Sequence, residues 1–361
     1  MAQHGPLREV RLARAKAAYT TRRVNLRAVE ALIDQDVRPA AGDLLLARVE
    51  KLGQHKRLEL TNGRKAQLFA GDEIIVAYGN RYAPDQFESV IPESLESCHL
   101  VAGGGIASKF LVKHSKMKMP TQIAPIAILG DRNGEAINLS DFALSGRLCD
   151  RKKPPVVAVV GTSMNSGKTT TASDLIHGLS RAGLRVGAAK VTGTGSGGDP
   201  WCMWDAGAVQ VYDFTDAGYA STYLLETEKV IKILQLLVQH LCASGTEAIV
   251  LEVADGLYQK ETETLLSSRA FAETVDGVIF TLKDSIGGKE GVQRLLENRL
   301  NVMAVGGVIC QSPLAMRELE NTVRLPVVDS NFLRNPDVKK QLGRWIAASK
   351  EENVIRLSEA K

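Results

Sequence analysis

The sequence has no apolar run long enough to cross a bilayer, and its N-terminus lacks the continuous apolar segment of a secretory leader. Cysteine is scarce. The five residues Cys98, Cys149, Cys202, Cys242 and Cys310 show neither the spacing of a disulfide framework nor that of a metal site. An odd, dispersed cysteine count fits a reducing compartment, so the expectation is a cytoplasmic protein with no membrane association. Charge of one sign is lacking too: a formal net charge of +4 is too weak a bias to argue for nucleic acid as a partner. No internal repeat or low-complexity tract is present. What remains is the composition of an ordinary globular protein, 44% hydrophobic and 24% charged, in 361 residues, enough for two domains with a core each.

Against that plain background one stretch stands out, Val156 to Thr171, with the sequence VVAVVGTSMNSGKTTT. Five consecutive apolar residues read as a strand buried on both faces. Gly161 allows a sharp turn, Gly167 lets the backbone approach a ligand, and the residues from Lys168 begin a helix whose free N–H groups face the loop. This is a phosphate cradle. Lys168 is the mobile charge for the terminal phosphates, and the Thr169 hydroxyl is a ligand for a magnesium ion bridging them. Gly161, Thr162, Asn165, Ser166, Gly167, Lys168, Thr169 and Thr170 are therefore the expected nucleotide-binding residues. Five residues separate Gly161 from Gly167, one more than in the common form of the loop.

With that spacing, GTSMNSGKT resembles the loop of dethiobiotin synthetase and its relatives, a branch of P-loop proteins that includes amidotransferase-type cobyrinic acid synthases. Thr162 stands where the related partitioning and arsenite-pump ATPases carry a lysine. The resemblance implies ATP and Mg2+ as cofactors and a small carboxylate or carbamate as substrate. It extends to three further segments. Lys190 matches the lysine that, in the family, holds substrate and developing charge near the γ-phosphate, with Val191 replacing the usual proline. Asp205, in Asp205-Ala-Gly-Ala208, is similar to an aspartate facing the magnesium, with Asp199 as a nearby competitor. Glu252 matches a magnesium-binding glutamate at a strand end, while Val253 and Asp255 replace glycines, leaving Asp255 to act as a base or to contact a cationic substrate. Gln311, ahead of Pro313, stands where the family reads adenine with an asparagine and offers the same amide donor and acceptor.

The rest of the chain frames this reading. Residues 1–39 form a basic, helix-leaning segment, either a solvated helix face or a docking arm. Residues 40–150 carry short strands and a hairpin at Asn62-Gly63, implying a smaller β-rich, barrel-like domain. Within it, Gly103-Gly104-Gly105 has two readings: an anion site at the start of a helix from Ile106, or a close crossing of two backbones. Arg151 to Pro155 reads as a linker. From residue 154 to 361 strands and helices alternate, which predicts an α/β fold, a mainly parallel doubly wound P-loop sheet with ligands at the carboxyl ends of its strands.

The function expected is a Mg-ATP-dependent ligase or phosphotransferase acting on a small molecule, with Lys168, Lys190 and Asp255 as catalytic residues and Thr169, Asp205 and Glu252 at the metal. Two alternatives stand beside it: a nucleotide-dependent binding module or ATPase switch whose β-rich domain docks a partner, and a P-loop-fold transferase related to D-amino-acid N-acetyltransferases. A homodimer is compatible with each.

Overall fold

The computed structural model describes residues 5–35, 37–146 and 149–347, with side chains from residue 9 onward. The chain forms two compact units. One contains the chain up to Ser145 together with Gly193–Gly198 and Phe214–Leu224; the other contains Gly146–Thr192, Asp199–Asp213 and the chain from Leu225 onward.

The second unit is built on seven strands: β1 (Val156–Gly161), β2 (Val186–Lys190), β3 (Gln210–Asp213), β4 (Ala248–Glu252), β5 (Gly277–Thr281), β6 (Val302–Gly306) and β7 (Val327–Val328). Their spatial order is β3-β2-β4-β1-β5-β6-β7, and every pairing is parallel. The sequence expectation of a doubly wound α/β sheet holds. β1 pairs on both sides, with Val157 opposite Val250 on β4 and opposite Gly277 on β5, and its residues are fully buried. That is why its apolar run is unbroken rather than alternating.

One face of the sheet is covered by the helix Lys168–Arg181, whose Leu175, Ile176 and Leu179 share a core with Val157, Val159, Val186 and Val250. This helix stops where Gly183 adopts a left-handed conformation and the Leu184 N–H returns to the Leu179 carbonyl at 3.1 Å. Truncating Leu175 to Ala would cost about 2–5 kcal/mol, the usual range for a cavity in a packed core. On the opposite face, a Cβ added to Gly187 would meet Leu241 of the helix Thr227–Ala243 at 3.0 Å. Every strand thus ends at the same edge, and the loops there carry the chemistry. Sequence reading missed β3, a four-residue strand of mixed polarity, and it missed a disulfide: Cys149 is bonded to Cys242 despite their separation of 93 residues.

In the first unit, five strands pair in a closed ring: Leu44–Lys51, Glu73–Tyr78, Ile106–Lys113, Cys98–Ala102 and Thr121–Gly130, the last pairing back onto the first. The hairpin expected at Asn62-Gly63 is present, with Arg57 opposite Gln67 and Gly63 at a φ of +83°. Two readings are corrected. The residues after Gly105 are a strand, Ile106–Lys113, so no helix start is available for an anion; a Cβ on Gly104 would meet the Gly195 carbonyl oxygen at 2.1 Å, which makes the glycine run a backbone crossing. The N-terminal segment is helical only over Gly5–Arg14 and then joins the β-rich unit, Lys16–Ala17 pairing with Glu73–Tyr78 and Ala31–Ile33 with Thr121–Gly130.

Candidate nucleotide and metal site

Gly161 ends β1 in a turn that leaves no room for a side chain, since an added Cβ would meet Ser166 Oγ at 2.2 Å. The loop then runs through Asn165 and Gly167, both with left-handed backbones at φ of 61° and 102°. The Thr162 N–H donates to the Thr281 carbonyl, and Ser166 Oγ lies 2.8 Å from Thr281 Oγ1 in a buried contact. Ser166 and Thr162 therefore fix the loop to the end of β5, and the free N–H groups of the helix start are left facing the cradle.

Lys168, only 6% exposed, donates from Nζ to the carbonyls of Ser163 at 2.8 Å and Asp255 at 2.7 Å. Burial pushes its pKa down to about 8, against the opposing pull of Glu252 and Asp255. Asp255 itself has a left-handed backbone at φ 62°, which costs strain in a non-glycine residue. A Cβ on the next residue, Gly256, would strike the Thr162 carbonyl oxygen at 2.3 Å, so this turn lies directly on the loop. The Asp255 carboxyl is raised by burial, with Lys168 and Lys190 acting the other way.

The parallel register places Lys190 opposite Glu252 on adjacent strand ends. The Thr169 hydroxyl sits 3.1 Å from Asp199 Oδ1 and 3.0 Å from Glu252 Oε1, and Lys190 Nζ forms an ion pair with Asp199 Oδ2. Burial alone would lower the Lys190 pKa, yet the charges of Asp199 and Glu252 outweigh it and hold this lysine protonated above the ordinary value. Glu252 is the converse case: burial first, and then the Asp199 charge, push its pKa up to about 7. Its Oε2 is buried without a hydrogen-bond partner among the described residues. A divalent cation would relieve both costs, so the donors fit magnesium, with Thr169, Asp199 and Glu252 as the residues to hold it. Among the described residues no cluster of three His, Cys, Asp or Glu forms a ready metal cage. That suits an ion that keeps waters and phosphate oxygens as ligands.

The structure thus brings together Lys168, Thr169, Lys190, Glu252 and Asp255. It does not bring Asp205: that residue is exposed at the far end of the helix Gly198–Asp205, while Asp199, at its start, takes the place beside Thr169. The choice between the two follows from helix geometry, since residues six apart sit more than a turn apart along the axis and on different faces. Gln311 is exposed and lines a cleft of about 250 Å3 with Gly167, Thr170 and Thr171 of the loop and helix and Asp329 to Asn331 beyond β7. Sequence reading passed over Thr281 as a loop anchor; a hydroxyl closing an otherwise apolar strand next to the P-loop strand was the available signal.

No protein-family model matches the chain, and no curated protein matches it. Among solved structures it is similar to the signal recognition particle 54 kDa protein of Aeropyrum pernix K1 in complex with GDP, at 20% identity and a TM-score of 0.38 over 62% of this chain and 55% of that one. It is also similar to the receptor FtsY of Elizabethkingia anophelis in complex with GDP, at 16% identity and 0.35 over 52% and 60%, and to the cell division protein FtsY of Thermotoga maritima, at 14% and 0.32 over 60% and 65%. The chain spans between a half and two thirds of the length of these three structures. No helix among the described residues is long and apolar enough to cross a membrane.

Proposed function

We propose that the chain is a Mg2+-dependent enzyme that takes the terminal phosphoryl group of a nucleoside triphosphate and places it on a carboxylate, carbamate or similar oxyanion of a small molecule, a ligase or phosphotransferase reaction. The observation that carries this reading is the convergence of Lys168, Thr169, Lys190, Asp199 and Glu252 at one end of the sheet, around a loop whose sequence resembles that of dethiobiotin synthetase. Lys168 would exchange two backbone carbonyls for phosphate oxygens. Lys190, kept protonated by its carboxylate neighbours, would stand between two anions that otherwise repel each other. Magnesium would supply charge neutralisation on the phosphates when bound to Thr169, Asp199 and Glu252. ATP as the donor rests on the resemblance at Gln311, whose amide lines the cleft beside Gly167 together with the Asp329 carboxylate, and the choice between adenine and guanine is left to the binding test.

A nucleotide switch has one observation on its side: the Lys168 bond to the Asp255 carbonyl ties the strained Asp255-Gly256 turn to the residue that phosphate would recruit. Nothing in the geometry favours the N-acetyltransferase alternative. Calorimetry with non-hydrolysable ATP and GTP analogues in Mg2+ tests the donor, and ATP hydrolysis with fractions of a metabolite pool tests the acceptor. Saturable ATP-analogue binding and hydrolysis stimulated by a small-molecule fraction are expected. Failure to bind either analogue overturns the reading, and stimulation by a protein fraction alone moves it to the switch.

A further inference from the structure

The Cys149–Cys242 disulfide lies in the wall of a cleft of about 280 Å3 in the P-loop unit, near the lower end of the range for small-molecule pockets. Gln235, Val238, Gln239 and Cys242 line it from the helix Thr227–Ala243, and their spacing places them on one helical face. From Gln235 to Cys242 this stripe runs roughly 10 Å along the axis, about the span of an extended tripeptide. Two amides thus lead along the wall to the sulfur.

The two sulfurs are not equivalent. Cys149 is half-buried, whereas Cys242 is 4% exposed in the last turn of its helix, so an incoming nucleophile reaches Cys149 and expels Cys242. The Arg151 carbonyl oxygen lies 3.8 Å from Cys149 Sγ and 3.9 Å from Cys242 Sγ, an acceptor at hand for a thiol freed at Cys242. A thiolate there would face the negative end of the helix dipole, so Cys242 stays protonated once released and is slow to attack back. The charges of the cleft decide what enters it. Glu273 is engaged by Arg269 at 2.6 Å and Lys153 by Asp276 at 3.4 Å, while no carboxylate among the described residues pairs with Arg151. The Arg151 guanidinium is therefore the cation that an anionic ligand meets.

We propose that Cys149 is a site of reversible S-thiolation by a small peptide thiol bearing carboxylates, the class to which glutathione belongs, docked along Gln235 and Gln239 with a carboxylate on Arg151. The thiolate sulfur of the peptide attacks Cys149 Sγ and forms the new S–S bond. The Cys149–Cys242 bond breaks, its electron pair leaves on Cys242 Sγ, and that sulfur takes a proton from water. One disulfide is consumed and one is formed, so no outside oxidant or reductant is required. The exchange frees the segment ahead of β1 from the helix Thr227–Ala243, which the bond ties together across 93 residues of chain. Where a compartment is reducing, the disulfides found are usually catalytic or redox-sensing, which fits an exchangeable bond. None of this depends on the phosphoryl transfer proposed above.

The full-length protein, isolated without reductant, is incubated with glutathione, quenched in acid and followed by peptide mapping. Glutathione on Cys149 and a free thiol at Cys242 are expected. Arg151→Gln should slow adduct formation about fivefold, the effect of one nearby unit charge in water, and should leave the rate with neutral 2-mercaptoethanol unchanged. Free thiols at both positions in the isolated protein, an adduct on Cys242 in place of Cys149, full reduction with no adduct, or an equal effect of Arg151→Gln on both reagents would overturn the proposal.

Discussion

The two units bury polar groups in different ways. In the P-loop unit the buried charges Lys168, Lys190, Asp199 and Glu252 lie at the carboxyl edge of a parallel sheet and answer one another, with the unmatched Glu252 Oε2 among them. In the β-rich unit Arg81, 5% exposed, donates from Nη2 to Gln86 and lies over the Phe87 ring, while Nε and Nη1 have no hydrogen-bond partner among the described residues; burial pushes its pKa down to about 10. His55 beside it is pushed down to about 4 by burial and then by the Arg81 charge. On the proposed reading the first set would exchange its present partners for phosphate and metal, whereas the other sits among strands and packed rings. Substitutions in the first should change turnover, and substitutions in the second should change stability.

The sharpest break between them is expected at Lys168. Lys168→Ala should lower nucleotide turnover by about 10^3-fold, as when a charge at a transferring phosphate is lost, with an unchanged unfolding midpoint. Steady-state hydrolysis and urea titration check the pair; wild-type turnover would remove Lys168 from the site. Gly104→Ala is the counterpart in the β-rich unit. An added methyl against the Gly195 carbonyl should cost about 3 kcal/mol, and an unshifted urea midpoint would contradict the crossing.

A smaller effect is expected at Lys190. Its replacement by Ala should leave ATP-analogue affinity within a few-fold, while substrate-dependent turnover falls about 10^2-fold. Equal losses in both would make Lys190 a binding residue only. The smallest effect concerns acid. His55 binds its proton at about 4 in the folded state against an ordinary value of 6.5, so between these limits the unfolded chain holds more protons. The stability from keeping His55 neutral is complete above pH 6.5 and is lost as pH falls through about 4. The loss is roughly 2 kcal/mol, allowing for solvent at its exposed edge. Urea titrations between pH 4 and 7 should show that slope in the wild type and a flatter one in His55→Gln; identical slopes would assign the acid sensitivity elsewhere.

How much of this was legible in the sequence follows the same division. The parallel sheet and its loop are written in local signals: the Val156–Val160 run, the glycines at 161 and 167, and apolar strands ending in Lys190 or Glu252. Asp199 was not separable from Asp205 by sequence, because helix phase relative to Thr169 decides between them. The β-rich unit depends on pairings between distant segments. Lys16–Ala17 is a strand only because Glu73–Tyr78 lies beside it, and Gly103 to Gly105 looks like a helix start until Gly195 is placed against Gly104. The Cys149–Cys242 bond was hidden for the same reason, as 93 residues separate two thiols that the fold brings together.

The glycine-rich stretch Gly193–Gly198 and the segment Phe214–Leu224 belong by their contacts to the β-rich unit, where the buried Glu59 carboxylate accepts the Gly197 N–H at 2.9 Å and Arg22 is paired with Asp216. Synthesis therefore runs ahead of assembly. The ribosome delivers the chain to Ser145 first, but that unit lacks its last two strips until Leu224 has emerged about 80 residues later, a wait of roughly 4–16 s at ordinary elongation rates. Until Gly197 emerges, about 52 residues after Ser145, the Glu59 carboxylate has no Gly197 to meet, and a polypeptide ending at the apparent boundary near residue 145 would be left in that state permanently.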